Sequence, residues 1–452
     1  MGISRVFDIS RRSLATYQKA IDISSHNIAN ASNPNYTRQR ARISTEIPEK
    51  TAQFIWGTGV KLDNIDRVKD GLIEAQLINN SQSYSRHNKE SILLGQVEQL
   101  FSEPSNLGIS NLLTNFMNSW NELSVTPNSV SLRNNVIFNA QNLADKVKNV
   151  NTDLDTIKYD VFHEFKEQTD RVNTLLSEIN EFNKQIFSFK ASTSSPNDLL
   201  DERDALINEL SGMVNIKVNY DQNNMASVSI GGVFAVDGSF ANTFEAQVVN
   251  NKLTLVSANN PNPIDLSGGE LYSLSDVYSN KISEYQSGID SIFNKLVEKV
   301  NALHESGYSL NDSTQTGIKF FTSYSGGELE INSSIISDPT LISVSSDGTS
   351  GNGEIARQIS EISNESVLNG QTLLENYASL VSKIGNEKLT NEKLAEANKM
   401  VVDNLEMQKA SISSVSIDEE MTEIIKFQRS FDASAKLIQI ANNMLEQIMG
   451  LI

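Results

Sequence analysis

Residues 136–189 read VIFNAQNLADKVKNVNTDLDTIKYDVFHEFKEQTDRVNTLLSEINEFNKQIFSF, and they set the architecture of the whole chain. Neither glycine nor proline occurs between Pro127 and Pro196. One apolar seam steps by threes and fours through Val136, Ala140, Leu143, Val147, Val150, Leu154, Ile157 and Val161. A second runs Phe165, Gln168, Val172, Leu175, Ile179, Phe182, Ile186 and Phe189. An extra four-residue step from Val161 to Phe165 joins them, the signature of a stutter in a coiled-coil pattern. As one helix the segment would be roughly 90 Å long, far beyond the usual three turns. It is a rod element.

The chain is patterned symmetrically around this rod. Upstream, residues 41–70 read as irregular chain or short strands, and helices are expected over about 70–101 and 107–124. Downstream, Ser195-Pro196 opens a helix carrying Leu199, Leu200, Leu206, Ile207 and Leu210, with proline in the first turn. From Met213 the period changes to two. Ser227–Ile230, Gly231-Gly232 and Val233–Val236 predict a two-residue hairpin, and Asp237-Gly238 and Asn250-Asn251 mark further turns. Helix returns over about 275–305, strands over 317–348, and a glycine-rich linker follows at 349–353.

The two ends are helical again. An N-terminal seam runs Ile3, Phe7, Ser10, Leu14, Tyr17, Ile21, Ser24, Ile28 and Ala31, then stops at Pro34. A C-terminal seam runs Ile417, Met421, Ile424, Gln428, Phe431, Ala435, Ile438, Asn442, Leu445, Met449 and Ile452. Residues 1–40 carry a charge balance of +4 and residues 411–452 one of −3. Opposite charge beside two apolar seams predicts that the ends pair, with charged flanks setting their register. Two helices alone bury little, so part of each seam should stay available to another molecule.

Composition narrows the function. The net charge of −19 argues against nucleic-acid binding, which needs a basic footprint. There is no cysteine, which removes disulfides, thiol nucleophiles and thiolate metal sites. No signal-peptide h-region and no apolar run of membrane-spanning length is present, so secretion would need a route without a cleaved Sec-type signal. His26, His87, His163 and His304 show no ligand spacing and read as surface or helix-flank residues. Asp201-Glu202-Arg203-Asp204 reads as a solvated helix face with local ion pairs rather than an acid–base cluster. Asp418-Glu419-Glu420 suits the positive end of a helix dipole. Gly231-Gly232 and Gly268-Gly269 lack phosphate-loop context, and Asn311-Asp312 with Asp347-Gly348 makes no calcium loop. The C-terminal seam, acidic on its polar face, favours a protein partner over a lipid surface. Neither a cofactor nor a catalytic residue is expected.

The segment Asn27-Ile-Ala-Asn30, Pro34, Tyr36-Thr-Arg38 resembles the N-terminal signature of flagellar rod, hook and hook-associated proteins. It departs from that signature at Asn33, usually Thr, and at Asn35, usually Gly; asparagine is the residue best able to replace glycine at φ > 0. Ser416–Glu420 followed by Phe427–Ala435 resembles the closing signature of the same group. Pro196-Asn-Asp-Leu-Leu-Asp-Glu-Arg-Asp-Ala-Leu206, Leu405–Val415 and His304–Gly307 after a long helix are similar to the hook-associated protein 1 family, the first hook–filament junction proteins. Another axial flagellar protein, such as hook protein or the second junction protein, and a secreted coiled-coil adhesin or translocator are the alternatives.

The resemblance implies an elongated, multi-domain α+β protein. Residues 1–40 with 411–452 would form an inner domain of paired terminal helices. Residues 41–212, 270–310 and 354–410 would form a helical rod, and 213–269, with 311–353 as a candidate contributor, a β-rich outer domain. It implies a structural role in motility, assembly as a ring, contact with hook protein and the second junction protein, a cytosolic export chaperone on the C-terminal helix, and type III export to the hook–filament junction outside the cell. No nucleic acid or membrane partner is implied. The assembly residues expected are Leu14, Tyr17, Ile21, Ile28, Asn30, Pro34, Tyr36, Ile417, Met421, Ile424, Phe431, Ile438 and Leu445.

Overall fold

The computed structural model describes residues 2–51, 54–101, 107–189, 196–238, 240–310 and 317–450. Ser195, Asn311, Asp312 and Ile452, which figure above, lie outside them. The N-terminal half comprises α1 (Gly2–Ala29), β1 (Gln39–Thr45), β2 (Glu49–Thr51), β3 (Phe54–Trp56), β4 (Val60–Arg67), α2 (Gly71–Phe101), α3 (Ile109–Val125), α4 (Val130–Ser188) and α5 (Asn197–Met213). Strands β5 (Ile216–Tyr220), β6 (Ala226–Ile230), β7 (Val233–Asp237), β8 (Phe240–Ala241), β9 (Phe244–Val249), β10 (Lys252–Ser257) and β11 (Asn260–Pro263) follow. Then come α6 (Gly269–Asp276), one π turn, α7 (Ile282–Ser306), β12 (Phe321–Ser325), β13 (Glu328–Ile331), α8 (Ser333–Ser337), α9 (Glu354–Glu361), α10 (Leu373–Ser413) and α11 (Ile417–Met449).

Helix α4 is a single helix of 59 residues, about 88 Å long. Ser129 caps its start by accepting the Leu132 N–H at 3.3 Å. The stutter passes without a break, and Phe165 is fully buried where the two seams meet. The seam serves a different end from a coiled coil, however. Its buried face is the spine of one contiguous core, against which α3, α5, α6, β9 and β13 pack in turn. Phe189, the last seam position, is exposed.

Helices α2 and α10 run antiparallel beside this core, Tyr377 lying near Phe101 and Leu405 near Ile73 and Leu77. Helix α10 opens with a capping box between Thr372 and Glu375. It continues unbroken to Ser413, and three residues turn the chain into α11.

The strands between 216 and 263 form two antiparallel sheets, ordered β5-β6-β7-β8 and β11-β10-β9. Ile230 pairs with Val233 across Gly231-Gly232, both with positive φ, 53° and 86°. That is a type I′ hairpin turn, and a side chain at Gly231 would meet Ile264 at 2.5 Å. Asn250-Asn251 makes the equivalent turn, also with positive φ at both residues. Strands β12 and β13 form their own hairpin on α4 and α7, and among the described residues the segment 317–350 joins neither of these two sheets.

The composition is rich in asparagine, and the structure shows one reason. Four helical asparagines each clamp both backbone groups of a single strand or extended residue. Asn27 does so to Gln39, Asn173 to Phe244, Asn183 to Ala226 and Asn301 to Phe321, with all eight bonds between 2.8 and 3.0 Å. A buried amide thus continues the hydrogen-bond ladder from helix to strand where no strand partner exists.

His304 is fully buried, which corrects its reading as a helix-flank residue. Its Nδ1 lies 2.7 Å from the Ile318 carbonyl, and Nε2 accepts the Ser343 N–H at 2.9 Å. Burial therefore lowers its pKa to about 4 and keeps it neutral.

Candidate functional site

Helices α1 and α11 pack antiparallel, and α1 also rests on the β1–β4 ribbon. Tyr17 and Phe427 stack at 6.4 Å between ring centroids. One heptad to either side of that pair stand Ser24 with Glu420 and Ser10 with Ser434, all four buried. Ala441 continues the same column, also buried. The neighbouring column, Ile424, Phe431 and Ile438 on α11 and Phe7, Leu14 and Ile21 on α1, is half-buried.

This arrangement corrects the expected C-terminal seam. Ile424, Phe431 and Ile438 are half-buried, and beside them Glu420, Ser434 and Ala441 are buried and Phe427 half-buried, whereas Met421, Gln428 and Asn442 are exposed and only Ala435 of the expected companions is half-buried. The buried stripe is therefore rotated by about 50° from the one the apolar pattern favours, given 100° per residue. Ile417, Met421, Ile425 and Leu445 are left exposed. The charge contact between the two ends is made by Arg38 with Glu419 and Glu420, each at 2.7 Å, and not by the arginines of α1 itself. In α1, Arg5 pairs with Glu49 at 3.4 Å, Arg12 with Glu46 and Arg11 with Asp8, both at 3.9 Å. Ala31 lies beyond the end of α1, and Ile28 is half-buried.

The exit from α1 is built from amides. Asn30 donates both its backbone N–H, at 3.1 Å, and its side-chain amide, at 3.0 Å, to the His26 carbonyl of the last turn. Pro34 is exposed and sits in a turn closed by the Tyr36 N–H on the Asn33 carbonyl at 3.2 Å. Asn35 does not take positive φ, so the turn is not type II. The Asn33 side chain holds it instead, accepting the Asn35 N–H at 3.0 Å.

The four residues Tyr36–Gln39 form a clasp that reaches α1, α5, α10 and α11. Tyr36 donates its hydroxyl to Asn27 Oδ1 at 2.7 Å, and His26 Nδ1 lies 3.0 Å from the same hydroxyl. Burial, then Asp198, Asp201 and Glu420, raise the Tyr36 pKa and keep the phenol protonated. The Thr37 N–H donates to Asp201 Oδ2 at 3.0 Å. Arg38 donates its backbone N–H to the Ser413 carbonyl at 2.9 Å and its guanidinium to Glu420 and Glu419, each at 2.7 Å. Gln39 donates to Asp198 at 2.8 Å and accepts from Asn197 at 3.2 Å.

Helix α5 supplies the fixed side of the clasp. Asp201 and Asp204 share Arg67 Nη1 at 2.8 and 2.9 Å, and Asp204 also takes Lys69 and Arg203, both at 3.0 Å. Burial opposes ionisation of Asp204, but Arg67, Lys69 and Arg203 outweigh it and hold its pKa at about 2. Asp201 and Arg203 are buried, which overturns their reading as a solvated face; only Glu202 is exposed. Sequence reasoning missed Asn197, Asp198, Asp201, Arg67 and Glu420 as interaction residues. Their partners lie more than 100 residues away, so no local spacing reveals them.

The carboxylates are saturated by arginine, lysine and backbone donors, and among the described residues no group of three or more metal-ligating side chains converges. No described helix is long and apolar enough to cross a membrane. The site is one of attachment.

Comparison with known proteins agrees with this mechanical reading. Residues 94–321, half of the chain, match the family model described as flagellar hook-associated protein FlgK helical domain. Residues 408–451 match that of the flagellar basal body rod FlgEFG protein C-terminal region. The chain is 27% identical to flagellar hook-associated protein 1 of Bacillus subtilis, over 98% of this chain and 97% of that one. It is 22% identical to the Escherichia coli protein of that name and 21% to the Salmonella typhimurium one, each over 99% of this chain and 100% of the other. The fold also resembles the flagellar hook junction protein FlgK from Burkholderia pseudomallei, with a TM-score of 0.65 at 15% identity, covering 76% of this chain and 100% of that one. The chain belongs to the FlgK family of flagellar hook-associated proteins.

Proposed function

We infer that this chain is a structural subunit of the bacterial flagellum and works at the junction of hook and filament. The observation that carries the reading is the family match over the rod, joined to a terminal helix pair that leaves one face of α11 uncovered. The division into an inner helix pair (1–40 with 411–452), a rod and an outer β region (213–269) belongs to this proposal. So does the assignment of Met421, Ile417 and Leu445 to contacts between molecules.

In its finer form the proposal is that subunits form a ring. The ring meets hook protein on one side and the second junction protein on the other. The apolar face of α11 is covered by an export chaperone before type III export and by neighbouring subunits afterwards. The role is mechanical, without catalysis.

The test is complementation of a strain lacking this chain with a form ending at Ser416. The expected result is a folded, soluble rod domain, loss of chaperone binding and loss of filament attachment. Normal filaments on the truncated form would overturn the proposal. Native purification from flagellated cells should bring hook protein down with the intact chain and not with the truncated one.

A further inference from the structure

Helix α11 carries two apolar stripes that share Ile424, Phe431 and Ile438. Completed by Met421, Gln428, Ala435 and Asn442, the stripe contains no charge. Completed by Glu420, Phe427, Ser434 and Ala441, it contains a carboxylate. Pattern alone favours the first, yet the structure buries the second, with Glu420 only 2% exposed. A buried carboxylate survives only where something pairs it. Here that is Arg38, whose guanidinium spans Glu420 and Glu419, each at 2.7 Å.

Among the described residues, no other ion pair ties α11 to another element. None of its residues belongs to the contiguous core, whose buried members run from Leu93 to Ile384. Its buried residues, Glu420, Ser434 and Ala441, are small or polar, and Ser10 and Ser24 face them from α1. Small residues on both sides place little steric resistance in the way of rotation. The Tyr17–Phe427 stack favours the observed stripe.

We propose that α11 has two packing registers on α1, related by a rotation of about 50° around its own axis, and that Arg38 selects between them by holding Glu420 inward. With Arg38 engaged, Phe427 is inside and Met421 outside. With Arg38 released, Glu420 turns to water and Met421 replaces it against α1. This goes beyond the junction role and does not depend on it.

The chain contains no cysteine, so introduced pairs report register without background. Ser10→Cys with Ser434→Cys reads the observed register, and Ser10→Cys with Ala435→Cys reads the rotated one. In the otherwise unchanged full-length chain the first pair should oxidise faster. Arg38→Ala should lower the ratio of the two rates about tenfold, because it leaves the buried Glu420 unpaired. Adding Glu420→Leu to Arg38→Ala should restore the original ratio, since an apolar residue needs no partner there. An unchanged ratio in Arg38→Ala would overturn the proposal. So would failure of both pairs to cross-link in that variant, because the helices would then separate rather than rotate. Loss of the ratio in the double variant would also overturn it, showing that Arg38 acts on something other than the placement of Glu420.

Discussion

Asn183, Asn173, Asn301 and Asn27 perform the same task, and each does it with both ends of one amide. Replacing Asn183 with alanine strands the Ala226 N–H and carbonyl in the core and also removes a weak acceptor of Arg203 at 3.4 Å. The expected cost is about 2–4 kcal/mol, read as a shift in the urea midpoint. Asn183→Asp should cost at least as much, because a carboxylate cannot donate to the Ala226 carbonyl. His304 makes a pH prediction. Its folded pKa of about 4 lies below the usual value near 6.5, so the unfolded chain binds more protons between those limits. Stability is fully present above about pH 6.5 and is lost as pH falls toward 4, by roughly 3 kcal/mol. Denaturant titrations at pH 7.5, 5.5 and 4.5 should show this slope, and His304→Gln should flatten it. At Asp204, replacement by Asn leaves Arg67 and Arg203 without their shared charge. Breaking such a buried pair typically costs about 3–5 kcal/mol. A loss below about 1 kcal/mol would contradict the network drawn above.

Between elements, the two faces of α11 predict different phenotypes. Ile424→Asp with Phe431→Asp strikes the half-buried column against α1. It should release α11, seen as fast hydrogen exchange over 417–449, while the urea midpoint of the core stays put. Met421→Asp with Ile425→Asp strikes the exposed face. It should leave exchange unchanged and block incorporation into filaments. Equal behaviour of the two pairs would mean that the faces are not distinct. Much at this scale was legible beforehand. Glycine- and proline-free runs delimited α1 and α4, the apolar seam from Ile417 located α11, and paired glycines and asparagines located the β-turns, because these signals are local. The inward face of α11 was not legible. Its choice depends on Arg38, which precedes Glu420 by 382 residues, and apolar periodicity carries no information about that partner. The acidic run on α5 misled for the same reason, since Arg67 is 134 residues from Asp201.

For the whole molecule, the core and the terminal helices are held by different forces. The core is apolar and continuous around α4, whereas α1 and α11 are fastened to α5 and α10 through amides, carboxylates and arginines. Salt screens the exposed Arg38–Glu419 contact of the clasp, and much less its buried contacts at Glu420 and Asp201. Raising salt should therefore speed exchange over residues 2–29 and 417–449 before it affects 130–188. The nested layout was visible from the order of patterns along the chain. The clasp that closes it was not, because it joins residues from the first, middle and last parts of the sequence.

That clasp has a consequence for how the chain reaches its native state. Residues 36–39 emerge early, yet Thr37 finds its acceptor only at Asp201, and Arg38 only at Ser413, Glu419 and Glu420. Contacts of such sequence separation carry the largest loop-closure entropy and so form late. The middle of the molecule, whose core ends at Ile384, is free to collapse first. Arg38 then waits, with its donors in water, until the final forty residues arrive. Completion of the fold is thus a report that the chain is whole, and a subunit that lacks its tail carries an open clasp.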